Sequence, residues 1–159
     1  LKNANVDFVY WGGFHPEAGA ILRQGADQGF KPVFMGADGV DNVDLFAIAG
    51  NAAEGVLATV PKDFSAAPEN AAIVEAIKAK KQDPNGPFVM PSYAAVQVIA
   101  EAAKRSGSDD PETIAKTLRE GEYDTAIGKI SFEKNGDLKD FHSVVYELHA
   151  DGKKVLKSK

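Results

Sequence analysis

The sequence predicts an α/β fold built on parallel strands. Apolar runs typical of strands alternate along the chain with amphipathic stretches typical of helices. The first strand, helix and strand follow one another within about thirty residues, which is a βαβ unit whose two strands are parallel. The chain has 159 residues, of which 44% are hydrophobic and 26% charged. This composition is typical of a globular protein with a real core.

The first βαβ unit has a clear signal for each of its elements. The run from Val6 to Trp11 is rich in β-branched and aromatic residues, which predicts a strand buried on both faces. A helix is predicted over 16–29, with Pro16 in its first turn and Gly29 at its C-terminal end. The segment 31–39 predicts a second strand that continues into a glycine-flanked loop.

The middle of the chain continues this alternation and then changes in composition. A short helix is predicted over 44–49, and a third strand is predicted to end at Pro61. The polar, proline-containing stretch 61–71 follows, and we expect it to link two lobes. Further helices are predicted over 71–81 and 92–105.

The last third of the chain predicts one more helix and two strands. The helix begins near residue 110, with Ser108 or Asp109 as the N-cap and Pro111 in the first turn. The strands lie within 126–139 and 142–154, each beside an Asn-Gly or Asp-Gly turn signal. The tail after Val155 is expected to be loose.

Charge and composition narrow the classes of partner. The net charge of −5 argues against a nucleic-acid or anionic-membrane surface, because both require a concentrated basic face. The lysine-rich segments 78–81 and 153–159 are predicted to be solvated. No apolar run approaches the ~18–20 residues that span a bilayer. The absence of cysteine excludes disulfides, thiolate catalysis and Cys-ligated zinc. We therefore predict no nucleic-acid partner, no insertion into a membrane and no cofactor.

Two loops are candidates for a ligand site. Gly13 and Phe14 follow the first predicted strand, and Asp38 and Gly39 follow the second. Ligands of open parallel sheets bind beyond the carboxyl ends of the strands, where such loops meet. Glycine also lets the backbone approach a ligand without a Cβ in the way. We therefore predict that Gly13, Phe14 and Asp38 face one pocket.

Simpler structural interpretations of these residues stand beside the functional one. Phe14 is also placed to close the core at the end of a strand, and Asp38-Gly39 is a common turn pair. His15 lies beside Pro16, which indicates the start of a helix, and no Ser or Cys motif accompanies it.

Enzyme and metal-binding functions lack their motifs. Neither a G-x-G-x-x-G phosphate loop nor a G-x-S-x-G nucleophile elbow occurs, so we predict no catalytic residues. The spacing of Asp38, Asp41 and Asp44 departs from that of a calcium loop, so we predict no metal site.

Six segments together carry a family resemblance. In order and spacing they resemble the C-terminal half of the periplasmic Leu/Ile/Val-binding proteins that serve branched-chain amino-acid ABC transporters. The likeness runs from about Val6 to Gly152, which is nearly the whole chain, and it is to the C-terminal half of the family alone. The chain is therefore expected to be a fragment that lacks the N-terminal half. The segments are DFVYWGGFHPEAG, FMGADGV, AGNAAEGVLATVP, DPNGPFVMPSYAAVQ, GKISFEKNGDLK and ELHADG.

The resemblance implies a type I periplasmic-binding-protein fold, with two parallel-sheet, Rossmann-like lobes joined by three crossovers. Residues 1–61 would belong to the second lobe and 62–141 to the first, while 142–159 would cross back and end in the loose tail. The implied function is periplasmic capture of a small aliphatic or branched-chain amino acid by lobe closure, followed by delivery to a membrane permease. The alternative is a ligand-sensing domain of the same fold for amides or amino acids.

The resemblance also implies a role for each site residue. Asp38 matches an acidic residue, often glutamate, that pairs with the α-ammonium of the ligand. Phe14 matches a position that often holds tyrosine, so a packing contact is retained without the phenolic hydrogen bond. Phe88 matches an aromatic residue that packs on the ligand side chain from the other lobe. The groups that bind the ligand carboxylate would lie in the missing N-terminal half.

Overall fold

The computed structural model of the chain describes residues 1–158. It separates into two compact units, one of Leu1–Pro61 with the chain from Ser143 onward, and one of Lys62–His142. The first unit has a five-stranded sheet and the second a two-stranded sheet. The strands are β1 (Phe8–Trp11), β2 (Val33–Gly36), β3 (Val56–Pro61), β4 (Glu122–Thr125), β5 (Gly128–Ser131), β6 (Ser143–Leu148) and β7 (Lys154–Ser158). The helices are α1 (His15–Asp27), α2 (Asp44–Ala49), α3 (Ala71–Ala79), α4 (Val89–Ser106) and α5 (Pro111–Glu120).

The sheet of the first unit has the strand order β1-β2-β3-β6-β7. Strands β1, β2 and β3 are parallel, and β6 and β7 run antiparallel to their neighbours. Crossovers between parallel strands are right-handed as a rule, so two that advance in the same direction place α1 and α2 on the same face of the sheet, where the two helices contact each other. The predicted βαβ unit is confirmed.

The core of the first unit lies between this sheet and the two helices. Val9 and Trp11 of β1 pack against it, while Phe8 and Tyr10 of the same strand are 49% and 56% exposed. The prediction of a first strand buried on both faces is therefore wrong for the described residues. The physical reason is that α1 and α2 cover only one face. The buried members of the core are Ala18, Phe34, Val40, Leu45, Ala49, Ala53, Val56, Ala58, Val60, Val144, Tyr146 and Leu148.

Gly29 ends α1 as the sequence predicts. Its φ of 67° is left-handed, a conformation that glycine adopts without a Cβ penalty. The N–H of Gly29 donates to Ala26 O at 2.9 Å, and the N–H of Phe30 donates to Gly25 O at 2.8 Å. These two bonds form a Schellman motif, which satisfies the last carbonyls of the helix and turns the chain toward β2.

The second unit is built on α4 and α5 packed against the β4–β5 hairpin. Tyr123 is 1% exposed in this core, and its hydroxyl donates to Thr117 O at 2.8 Å. Asn70 is 2% exposed and donates through Nδ2 to Phe64 O and Ala126 O, at 2.9 and 2.7 Å. A buried amide with both bonds made ties the proline-containing segment to the hairpin.

The N-cap of α5 is Asp110, so the prediction of Ser108 or Asp109 is wrong by one or two residues. The Asp110 carboxylate accepts from the N–H of Thr113 at 2.8 Å and from its hydroxyl at 2.7 Å. The hydrogen bond from the Thr113 hydroxyl, and to a smaller extent the one from its N–H, holds the pKa of Asp110 below its ordinary 3.8. Ser108 accepts from the N–H of Asp110 instead, and so supports the cap from outside the helix.

The tail after Val155, predicted to be loose, forms strand β7. The Asp-Gly signal at 151–152 makes a turn in which His149 N donates to Lys153 O at 3.0 Å. The apolar residues Val155 and Leu156 then continue the pairing with β6. Residues of this kind after a turn signal favour a hairpin over a free end. The last residue of the predicted tail, Lys159, lies outside the described residues. None of the helices within 1–158 is long and apolar enough to cross a membrane.

A charge cluster fixes the β6–β7 hairpin to the loop before β3. His149 Nδ1 lies 2.6 Å from Glu54 Oε1, and His149 Nε2 lies 3.2 Å from Glu147 Oε1. Glu54 Oε2 also accepts from the N–H of Ala150 at 3.0 Å. The Glu54 bond raises the pKa of His149 above its ordinary 6.5 and lowers that of Glu54 below 4.5. A bond from Lys157 lowers the pKa of Glu147 below 4.5.

We expect this cluster to make stability depend on pH. The raised His149 pKa gives stability that is complete below pH 6.5 and is lost as pH rises through that pKa. The lowered carboxylate pKa values give stability that is present above pH 4.5 and is lost as pH falls. The difference in urea-unfolding midpoint between the wild-type protein and His149→Gln should therefore be largest between these two values and shrink at alkaline pH. His142→Gln serves as the control, and a difference that does not vary with pH would contradict the prediction.

Candidate functional site

Two loops leave the same edge of the first unit's sheet. Trp11 at the end of β1 pairs in register with Gly36 at the end of β2. The N–H of Ala37 donates to Trp11 O at 3.2 Å, so the two chains stay joined just beyond the strands. The loop over 12–14 and the loop over 37–41 therefore begin side by side, as predicted.

These loops touch through their backbones at Gly39. A Cβ built on Gly39 would lie 2.7 Å from Gly13 O and 3.3 Å from the Cα of Phe14. Gly13 is also enclosed, because a Cβ there would lie 2.7 Å from the Trp11 ring. The two glycines thus let the loops approach each other, and an approach of Gly13 to a ligand stays a prediction.

Phe14 presents its ring to solvent from a fixed backbone. It is the N-cap residue of α1, and its carbonyl accepts from Trp11 Nε1 and from the N–H of Ala18, both at 3.2 Å. Phe14 is 69% exposed, which makes the interpretation of Phe14 as a cap on the core wrong. An exposed aromatic ring on a rigid backbone is a ready surface for an apolar ligand group.

Asp38 offers an exposed carboxylate in the neighbouring loop, one residue before the Gly39 that contacts Phe14. It opens the 3₁₀ turn Asp38–Val40, and its carbonyl accepts from the N–H of Asp41 at 3.0 Å. Its side chain has no hydrogen-bond or ion-pair partner within residues 1–158. The turn interpretation of Asp38 thus describes its backbone and leaves its carboxylate available. A carboxylate and an exposed aromatic ring on two loops that touch suit a ligand that carries both a cation and an apolar group.

The Asp38 loop is anchored on its far side by two residues. Val40 is fully buried and lies directly against Gly36. The Asp41 side chain is 5% exposed and its Oδ2 lies 2.7 Å from Lys154 Nζ. Among the described residues no group of three or more His, Cys, Asp or Glu side chains is arranged to hold a metal ion. The Asp41 carboxylate forms an ion pair with Lys154 instead.

Phe88 belongs to the second unit. It is the N-cap residue of α4 and is 47% exposed. The structure brings Gly13, Phe14 and Asp38 together in the first unit, and the role of Phe88 in a shared site stays a prediction.

Sequence reasoning missed the Asp41–Lys154 pair. A partial signal is the pair of apolar residues, Val155 and Leu156, that follows the Asp-Gly turn. That pattern predicts a strand that contains Lys154, but it does not indicate Asp41 as the partner.

Comparison with known proteins gives consistent matches along the chain. A sequence profile of the periplasmic binding protein family matches residues 1–153. The Leucine-, isoleucine-, valine-, threonine-, and alanine-binding protein of Pseudomonas aeruginosa is 50% identical over 151 residues, covering 95% of this chain and 40% of its own length. The Leu/Ile/Val-binding protein of Escherichia coli is 51% identical over 152 residues, covering 96% and 41%. The chain therefore spans about two-fifths of the length of these curated relatives.

Solved structures confirm the predicted fold class. The crystal structure of a leucine-binding protein from Thermotoga maritima matches with a TM-score of 0.83 and 30% identity, covering 99% of this chain and 45% of that one. A type 1 periplasmic binding protein from Bordetella pertussis matches with a TM-score of 0.77 and 23% identity, covering 100% and 48%. At 23% identity, the second match is evidence for the fold alone.

Proposed function

Because this chain belongs to the periplasmic binding protein family, we propose that it is the C-terminal part of a solute-binding protein that captures a small aliphatic or branched-chain amino acid. The observation that carries the proposal is that exposed Asp38 and exposed Phe14 lie on two loops that touch at Gly39. Relatives about 50% identical to the chain are named for binding leucine, isoleucine and valine, which supports this class of ligand.

The two compact units correspond, in this proposal, to parts of two lobes. The unit of Leu1–Pro61 with the chain from Ser143 onward would belong to the second lobe, and Lys62–His142 to the first. The strand order supports the assignment, because β3 and β6 pair although the whole second unit separates them in sequence. The chain then passes between the lobes after Pro61 and again before Ser143.

Different groups of the protein would recognise the ammonium, the side chain and the carboxylate of the amino acid. Asp38 would pair with the α-ammonium through charge-assisted hydrogen bonds, and Phe14 would pack on the aliphatic side chain, with the backbone of Gly13 alongside. Phe88 would contact the side chain from the other lobe, and groups in an N-terminal half would bind the carboxylate. Contacts in both lobes stabilise the closed state over the open one. Capture is therefore binding with closure, without catalysis.

The proposed role in transport implies two protein partners for this chain. In the periplasm, the N-terminal half of the same protein would complete the cleft, and the membrane permease of an ABC transporter would receive the closed, loaded form. The family membership of the chain supports this setting.

Isothermal titration calorimetry tests the proposal. The full-length protein and this chain alone are titrated with the twenty amino acids and with small amides. We expect the full-length protein to bind an aliphatic amino acid and the chain alone to bind none, because it lacks the groups for the carboxylate. A full-length protein that binds no amino acid, or that prefers amides, would overturn the proposal in favour of another solute or of a sensor.

Restoring the missing hydroxyl at Phe14 is expected to change selectivity. In the full-length protein, Phe14→Tyr adds one hydrogen-bonding group beside the ligand, worth about 1 kcal/mol, or roughly fivefold in affinity. The relative affinities for leucine, isoleucine and valine should shift while binding is retained. Tyr10→Phe, an opposite change at an exposed residue of β1, is the control. Calorimetric profiles identical to the wild type would show that Phe14 does not touch the ligand.

A further inference from the structure

We infer that Lys154 is a positioning residue for the ligand site: by holding the Asp41 carboxylate, it fixes the loop that presents Asp38. The inference rests on the proposed function, since it assigns Asp38 to the ligand. Lys154 lies in β7, near the C-terminal end of the chain, and is separated from Asp41 by 113 positions.

The contact has the geometry of a strong ion pair. Lys154 Nζ lies 2.7 Å from Asp41 Oδ2, and the two side chains are 29% and 5% exposed. The N–H of Asp41 donates to Asp38 O at 3.0 Å. The carboxylate that Lys154 holds is therefore one backbone hydrogen bond from the residue that faces the ligand.

Burial of Asp41 makes this lysine necessary for the loop. A nearly buried carboxylate without a counter-charge is costly, and the cheapest relief is a movement that returns it to water. Such a movement would carry the 3₁₀ turn Asp38–Val40 with it. Because Gly39 is in backbone contact with Gly13 and Phe14, even a small displacement changes the position of Asp38 relative to the Phe14 ring.

Neighbouring lysines have other partners, which makes the assignment specific to Lys154. Lys153 Nζ lies 2.6 Å from Asp151 Oδ2, in the exposed turn before β7. Lys157 Nζ lies 2.9 Å from Glu147 Oε2, on the neighbouring strand β6. Lys157 is therefore a matched control, because it is in the same strand and also pairs with a carboxylate.

The test compares Lys154→Met, Lys154→Arg and Lys157→Met in the full-length protein, with L-leucine as the calorimetric probe. We expect Lys154→Met to weaken leucine binding by about tenfold or more, and Lys154→Arg to stay within about threefold of the wild type. Lys157→Met should bind like the wild type. Equal leucine affinity in folded Lys154→Met, or an equal loss in Lys157→Met, would overturn the inference.

Two further measurements keep the inference testable in every case. The first measurement applies if Lys154→Met does not fold. The double variant Asp41→Asn/Lys154→Met leaves no buried charge unpaired, so it should fold and should bind leucine less tightly than the wild type. Wild-type affinity in this double variant would overturn the inference. Amide hydrogen exchange over 37–42 in the ligand-free protein should be faster in Lys154→Met than in Lys157→Met. If the wild type binds no amino acid, the proposed function fails, and equal exchange in the two variants would overturn the positioning role separately.

Discussion

Replacing Asp38 with alanine in the full-length protein is expected to weaken amino-acid binding by about 100-fold or more. Truncating one member of a hydrogen-bonded charge pair that is buried on binding costs about 2–5 kcal/mol, because the other charge is left desolvated and unpaired. The Asp38 side chain has no hydrogen-bond or ion-pair partner within residues 1–158, so its removal breaks no polar interaction of the described structure. The loss should therefore appear in affinity and not in stability.

Calorimetry with an aliphatic amino acid measures the effect of the Asp38 substitution, and two variants make it specific. Asp38→Asn keeps the size and turn preference of the side chain, so a loss similar to that of Asp38→Ala identifies the charge as the cause. Asp44→Asn removes another exposed carboxylate six positions along the chain and should bind like the wild type. A dissociation constant unchanged in Asp38→Ala would remove the ammonium contact from the proposed function.

The parts of the fold that the sequence predicts correctly have local signals. The run from Val6 to Trp11, the Schellman glycine at position 29 and the short helix over 44–49 are each visible within a few residues. Because the βαβ rule then makes β1 and β2 parallel, it also places the loops after them at one edge. The meeting of Gly13, Phe14 and Asp38 is therefore predictable from sequence.

The features that the sequence does not predict depend on contacts between distant parts of the chain. Whether Phe8 and Tyr10 are buried depends on which faces of the sheet the helices cover, which the strand pattern does not state. Strand β7 is an exception, because the Asp-Gly turn and the apolar residues after it are a local signal for its pairing with β6. The pairing of Lys154 with Asp41 joins β7 to the loop after β2, 113 positions away, so no local pattern around either residue indicates it.

Gly39→Ala is expected to weaken both the fold and the ligand site. Its Cβ would lie 2.7 Å from Gly13 O and 3.1 Å from Cδ1 of Phe14, and the first of these atoms belongs to backbone that cannot rotate away. Overpacking of this kind costs about 1–3 kcal/mol of stability. The loops must separate to admit the methyl group, which moves Asp38 away from the Phe14 ring. We therefore expect roughly a tenfold loss of amino-acid affinity as well.

Gly12→Ala is the matched control for Gly39→Ala. A Cβ on Gly12 meets nothing within 4 Å, and its φ lies outside the left-handed region. Urea unfolding and calorimetry of the two variants in the full-length protein should separate them clearly, with Gly12→Ala close to the wild type in both. Equal behaviour would mean that the loops tolerate separation. Loss of stability with unchanged affinity would mean that their contact supports the fold without setting the position of Asp38 at the ligand.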